Sequence, residues 1–124
     1  MTDAQAKVLA DRVRLISFRF HNFLKWGHLE KVYENGLAHR LDKAGIHVEQ
    51  QMPISVKDED GAIIGDYIAD LVLCGKMIIE IKACESLADV HLAQVLGYLR
   101  ATGLRHGMLI NFGSPTMQIK KLVL

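Results

Sequence analysis

Apolar positions along the first third of the chain recur at helical spacing. Val8, Leu9, Val13, Ile16, Phe20, Phe23 and Leu24 predict a helix over 4–25, broken at Gly27. Leu29, Val32, Tyr33, Gly36, Leu37 and Leu41 share one face of a second helix over 28–44, with Gly45 as its stop. From residue 46 the period shortens towards two. Strands are expected at 46–56, where Ile54-Ser55-Val56 alternates, at 63–73 and at 77–84. Asp58-Glu59-Asp60-Gly61 supplies the first turn and Cys74-Gly75-Lys76 a tight second one. A third helix over 87–102 ends at Gly103, and strands at 107–112 and 117–124 flank Gly113-Ser114-Pro115. The order α-α-β-β-β-α-β-β describes an α/β fold, a mixed sheet flanked by helices, with the third helix crossing over between parallel neighbours. The strands at 63–73 and 77–84 are apolar on both faces, as central strands covered by helices are.

Against that pattern three charges stand out: Asp70 in Ile68-Ala69-Asp70-Leu71-Val72-Leu73, and Glu80 and Lys82 in Met77-Ile78-Ile79-Glu80-Ile81-Lys82-Ala83. An unpaired charge in such surroundings costs several kcal/mol, so pairing, a metal ion or an opening to water has to compensate. Glu80 and Lys82 are two residues apart and project from one face. A three-residue connection would pair Leu73 with Met77 and set Asp70 opposite Glu80, whereas a two-residue turn would put them on opposite faces. Two carboxylates and a lysine can hold a hard divalent cation together with a substrate phosphate, and can orient the attacking water. A plain Asp70–Lys82 or Glu80–Lys82 ion pair explains the same residues. From the strands alone both readings stay open.

On the third helix His91, Gln94 and Tyr98 form an uncharged polar arc beside Leu92, Val95, Leu96 and Leu99, either a site rim or a boundary stripe. On the second, Glu30 lies at the edge of the apolar face, within reach of a metal or complementing the helix dipole, and Glu34 is expected further out. Charge is uneven along the chain. Arg12, Arg14, Arg19, Lys25 and Lys31, with His21 and His28, face only Glu30 within residues 12–31, and residues 100–124 carry Arg100, Arg105, Lys120 and Lys121 without an acid. Both segments could contact phosphates or be ordinary solvated ends.

At 124 residues, 50% hydrophobic and 23% charged, the chain is expected to form one globular domain, 1–124. A net charge of +1 excludes a histone-like basic coat. No apolar run is long enough to span a membrane, and no leader is expected. Two cysteines, Cys74 and Cys84, make no disulfide framework and read as reduced thiols of a cytoplasmic protein. No zinc-ligand spacing is present.

The linear order Glu, Asp, Glu-x-Lys, Gln resembles the PD-(D/E)xK nuclease superfamily, with its restriction-endonuclease-like fold, and within it the GxxExxY family. Gly27-His28-Leu29-Glu30-Lys31-Val32-Tyr33 matches the naming motif, and Tyr67-Ile68-Ala69-Asp70 is similar to its Tyr-Arg-Ala-Asp segment. Ile79-Glu80-Ile81-Lys82-Ala83, VHLAQVLGYLR (90–100) and GMLINFG (107–113) resemble later blocks. The likeness spans 27–124, leaving 1–26 as a distinct N-terminal helix, and Ile68 stands where relatives often carry Arg. The resemblance implies a Mg²⁺- or Mn²⁺-dependent nuclease acting on nucleic acid, with DNA as the expected substrate. It implies Asp70, Glu80 and Glu30 as metal ligands, Lys82 as the catalytic lysine, Gln94 as a supporting polar group, and His91, Tyr98 and Tyr67 as substrate or supporting contacts. The competing expectation is an inactive module that keeps the fold and binds nucleic acid or a partner protein. The apolar first helix could also support a homodimer.

Overall fold

The computed structural model describes residues 1–124 in full. Helix α1 (Asp3–Leu24) starts at a capping box in which Gln5 N–H donates to Thr2 Oγ1 and Thr2 N–H donates to Gln5 Oε1. Helix α2 (Glu30–Lys43) folds back against it. At the crossing Phe20 lies on Gly36, where a Cβ would overlap the ring. Strands β1 (Val48–Lys57), β2 (Ile63–Leu73) and β3 (Met77–Lys82) follow, then helix α3 (Asp89–Thr102), β4 (His106–Asn111) and β5 (Gln118–Val123). The element order is the expected one.

The five strands form one sheet in the order β1-β2-β3-β4-β5. Only β3 and β4 are parallel, and α3 makes the crossover between them. Two strand boundaries differ from expectation by two residues, the others by at most one. Ile46 is still tied to the end of α2, its N–H donating to Leu41 O, so β1 begins two residues later. Strand β3 stops at Lys82 because Asn111 holds the next turn away from the sheet through both Cys84 backbone groups. No helix is long and apolar enough to cross a membrane, and both cysteines are free.

The sheet carries two apolar layers. Leu71, Leu73, Met77, Ile79, Ile81, Met108, Ile110 and Phe112 pack under α1 and α2, with Tyr33 stacked on Phe112 at 5.0 Å between centroids. Val72, Ile78 and Leu109 pack under Val95, Tyr98 and Leu99 of α3. Strict alternation would put Ala69 with Leu71 and Leu73, yet it joins the α3 layer. In β1 Val48 packs with the α1/α2 layer, whereas Met52 and Ile54 pack with the α3 layer. Both strands therefore switch faces at one level, that of Gln51 and Asp70. The β1–β2 ladder passes from Gln50↔Leu71 to Met52↔Ala69 without pairing these two, and Gln51 sits in the left-handed region at φ 54°. A non-glycine residue there costs about 1–3 kcal/mol and is held only by its surroundings.

Candidate active site

The irregularity continues into the next strand pair. The β2–β3 ladder runs Leu73↔Met77, Val72↔Ile78, Leu71↔Ile79 and stops. That register is the one that sets Asp70 opposite Glu80. Beyond it side chains replace backbone partners: Asp70 N–H donates to Glu80 Oε1 at 2.8 Å, and Ile81 N–H donates to Asp70 Oδ2 at 2.9 Å. Two carboxylates thus wedge the strands into a fork, each with one oxygen fixed on a backbone donor and the other without one.

Glu80 is 2% exposed and Asp70 half-buried. Burial is the largest influence on both and raises both carboxyls above their usual range, Glu80 to about 8 with the Asp70 charge adding to the effect. Lys82 pulls Asp70, Glu80 and Glu30 the other way, but it forms no salt bridge within 4.0 Å; the six ion pairs of the protein lie elsewhere. The plain ion-pair explanation of these strand charges is therefore not what the fold uses. Two hard oxygen donors that repel each other, with a lysine too far to neutralise them, are the donor chemistry a Mg²⁺-type ion fits.

Helix α2 approaches the fork from one side. Glu34, expected further out, is in fact 3% exposed. It accepts from Gln51 Nε2 at 2.7 Å, Gln50 Nε2 at 2.8 Å and Lys31 Nζ at 3.0 Å. Gln51 Nε2 also lies 3.4 Å from Asp70 Oδ1, so Gln51 bridges Glu34 to Asp70. Neither residue was singled out from the sequence; the only signal was a glutamine pair in a strand, which hydropathy cannot tell from a solvent face. Glu30, the first residue of α2, is exposed at the rim, and burial of its inner side raises its carboxyl. No group of three or more His, Cys, Asp or Glu side chains is gathered to hold a metal, and the Asp70 charge adds to the rise at Glu30.

Helix α3 approaches from the other side. Gln94 Nε2 donates to Tyr98 Oη at 2.9 Å, and burial followed by the Glu80 charge pushes the Tyr98 hydroxyl up to about 12. Tyr67 packs on Tyr98 with ring centroids 5.1 Å apart. His91 is placed differently from its arc-mates: its Nδ1 accepts Ala88 N–H at 3.0 Å and closes the start of α3. The turn after Lys82 is anchored by Asn111, and Gly113 lies so close to Ala83 and Cys84 that a Cβ would overlap their backbone.

The profile of the PD-(D/E)XK nuclease superfamily matches residues 7–122. The chain belongs to that superfamily. The matched segment includes Asp70, Glu80 and Lys82, the three strand charges at the fork just described. A crystal structure of a protein titled SSO0001 shares the fold, with a TM-score of 0.64 at 18% identity, over 75% of this chain and 48% of that one. The chain thus spans about half the length of the solved structure it matches. No curated protein matches it.

Most of the cations expected to hold phosphate in this nuclease-superfamily domain are engaged. Arg12 donates to Ala44 O at 2.8 Å, Arg14 pairs with Asp11 at 3.4 Å and Lys31 pairs with Glu34 at 3.0 Å. Lys25 ends α1 in a positive-φ conformation. Arg19 makes no salt bridge and lines a cleft that has no acid and three other basic side chains.

Proposed function

We propose that this chain hydrolyses phosphodiester bonds in nucleic acid, DNA in the first instance, with a divalent cation held by Asp70 and Glu80. The observation that carries the reading is the fork: two carboxylates replacing the β2–β3 ladder, repelling one another, with Lys82 alongside but not pairing with them. When bound, Mg²⁺ or Mn²⁺ would polarise the scissile phosphate and lower the pKa of water. The chain's own groups do the rest. Backbone donors fix one oxygen of each carboxylate and leave the other without a backbone partner, available to a cation. Lys82 sits where its ammonium can orient the attacking water and stabilise the extra negative charge of the pentacovalent phosphate. Glu30, exposed at the rim, could help hold the ion or a water bound to it. Gln94 holds the Tyr98 hydroxyl, and Tyr67 packs against that ring. His91, at the start of α3, retains only a substrate-contact role.

The motif Gly27…Glu30…Tyr33 supports placement in the GxxExxY branch: Tyr33 is buried, and its hydroxyl donates to Lys25 O at 2.7 Å and accepts His28 N–H at 3.2 Å, fixing the α1–α2 link. Two free thiols suit a reducing, cytoplasmic setting. Val8, Leu15 and Phe18 leave an apolar stripe on α1 that suits a homodimer, which a solution mass would read.

The test is cleavage of single-stranded, duplex and branched DNA with Mg²⁺ or Mn²⁺, beside calorimetric titration of the ion. Activity that survives Asp70→Ala or Lys82→Ala overturns the assignment. A second reading, a nucleic-acid-binding module without turnover, draws on the ligand set being two carboxylates rather than three. DNA binding with no divalent-ion uptake would favour it.

A further inference from the structure

A second charged cluster lies on the outer side of the helical hairpin. Ile16 and Arg19 of α1 and His39, Arg40 and Lys43 of α2 line a cleft of about 410 Å³. The two helices run antiparallel, with Phe20 on Gly36 and Arg12 reaching Ala44 O, so residues three or four apart on each helix meet across the gap. No Asp or Glu lines the cleft, and none of its cations makes a salt bridge. Asp42 opens instead onto a neighbouring cleft with Asn35, Val48 and Gln50. The Arg40 guanidinium is held in place by two rings, 5.0 Å over Phe20 and 5.7 Å over Phe23. Phe23 itself is 75% exposed.

Gathering cations around one concavity without a counter-charge works against stability, since like charges repel. Selection for folding alone would place an acid among them, as it does at Lys7–Asp11 and Lys31–Glu34. Packing fixes Arg40, so the arrangement is pre-ordered for an anion. An exposed aromatic ring beside it adds a face on which a base can stack.

We propose that this cleft is a phosphate-backbone site for a single strand of nucleic acid, with Arg19, Arg40 and Lys43 on consecutive phosphates and Phe23 under a base. The proposal rests on nucleic acid being the substrate class, but not on the acidic fork. Lys43 is nine residues beyond Glu34 on the same helix, about 14 Å at 1.5 Å per residue. That separation along α2 is within the length of a few nucleotides. The cleft was not visible in the linear charge count, because its members come from two helices and three of them, His39, Arg40 and Lys43, lie outside the basic segments.

The experiment is fluorescence anisotropy with a 20-nucleotide labelled single-stranded DNA in EDTA, so that cleavage cannot interfere, across a series of salt concentrations. Arg19→Ala/Lys43→Ala is expected to weaken binding at least tenfold. It should also flatten the slope of log K against log salt by about 1.4, at about 0.7 per lost cation. Arg19→Lys/Lys43→Arg should restore both, and Arg14→Ala, whose charge is already paired, should change neither by more than about twofold. Wild-type affinity and slope in a folded alanine double variant would overturn the proposal, as would an equal loss in Arg14→Ala. Because EDTA removes the divalent ion, failure of the nuclease reading leaves this result intact. Failure here leaves Asp70-dependent cleavage intact.

Discussion

The acidic fork and the basic cleft are both clusters of like charge, but they are built by opposite means. The fork is buried, and its carboxylates are locked by backbone N–H groups where a ladder breaks. The cleft is open, and its cations are set by helix spacing and a cation–π clamp. Burial makes the fork's charge costly until a cation arrives, which suits a catalytic centre. Exposure makes the cleft's charge cheap and salt-sensitive, which suits a positioning surface. The lesson is that the same sign imbalance reads as chemistry when water is excluded and as docking when it is not.

The sharpest break between the two comes from Asp70→Asn. Cleavage should fall by roughly a thousandfold or more, since the positioned charge that acts on the reacting phosphate is lost. Oligonucleotide binding in EDTA should stay within about twofold, because the cleft is untouched. Gel-based cleavage and anisotropy on one preparation separate the effects, and loss of binding with loss of cleavage would merge the two clusters into one site. Lys82→Met follows the same logic on a smaller scale, about a hundredfold in kcat with metal affinity preserved, because a lysine that pairs with neither carboxylate is not needed to assemble them. A matching fall in Mn²⁺ affinity by calorimetry would contradict that division of labour.

How far the fork could be read from sequence depends on the level asked. Apolar strands interrupted by Asp70, Glu80 and Lys82 announce a site, and the length of the Cys74-Gly75-Lys76 connection sets the register that joins them. The switch of faces at Gln51 could not be read, because a glutamine at φ 54° leaves no mark in a hydropathy pattern. The same blindness hid Glu34: α2 turns that carboxylate inward to meet Gln50 and Gln51, contacts that exist only after β1 has packed against the helix. Basic residues are hard to rank from sequence for a related reason. Counting charges along the chain picks out Arg12, Arg14, Arg19, Lys25 and Lys31 alike, whereas the fold ties Arg12 to a carbonyl, pairs Arg14 and Lys31 with acids and sets Arg19 beside cations of the other helix. The final blocks were legible as a motif but not as a mechanism until Asn111 and Gly113 were seen gripping the turn after Lys82.

The buried acid pair also predicts how stability responds to pH. The Glu80 carboxyl is raised from 4.5 to about 8 by burial and by Asp70, so the folded state binds a proton more tightly than the unfolded chain does. Its contribution to stability is fully present below about pH 4.5, and is lost as pH rises through about 8. In EDTA the melting temperature should therefore drop by several degrees between pH 5 and pH 8.5, a change of about 1–3 kcal/mol in a domain of this size. Saturating Mg²⁺ should remove most of the drop by supplying the missing positive charge. Glu80→Gln should flatten the EDTA profile and make the metal-free protein more stable at pH 8.5 than the wild type. An unchanged slope in that variant would show that the fork is not where the strain lies.

The smallest effect, and the one that tests how the fork is held, belongs to Gln51. Gly at this position keeps the left-handed backbone without strain but deletes the amide between Glu34 and Asp70. Gln51→Gly should leave the melting temperature within a few degrees, because relief of backbone strain and loss of a hydrogen bond of about 1 kcal/mol largely offset each other. Mn²⁺ affinity should weaken by about three- to tenfold, since Asp70 Oδ1 is no longer aimed. Gln51→Val loses the amide and adds a β-branched side chain to a positive-φ residue, so it should cost stability as well as affinity. If the glycine variant binds Mn²⁺ as the wild type does, the bridge is a by-product of packing, and the backbone donors from Asp70 and Ile81 suffice to set the carboxylates. If both affinity and oligonucleotide binding fall together, the face switch in β1 also shapes the path between the two clusters, and they act as one surface.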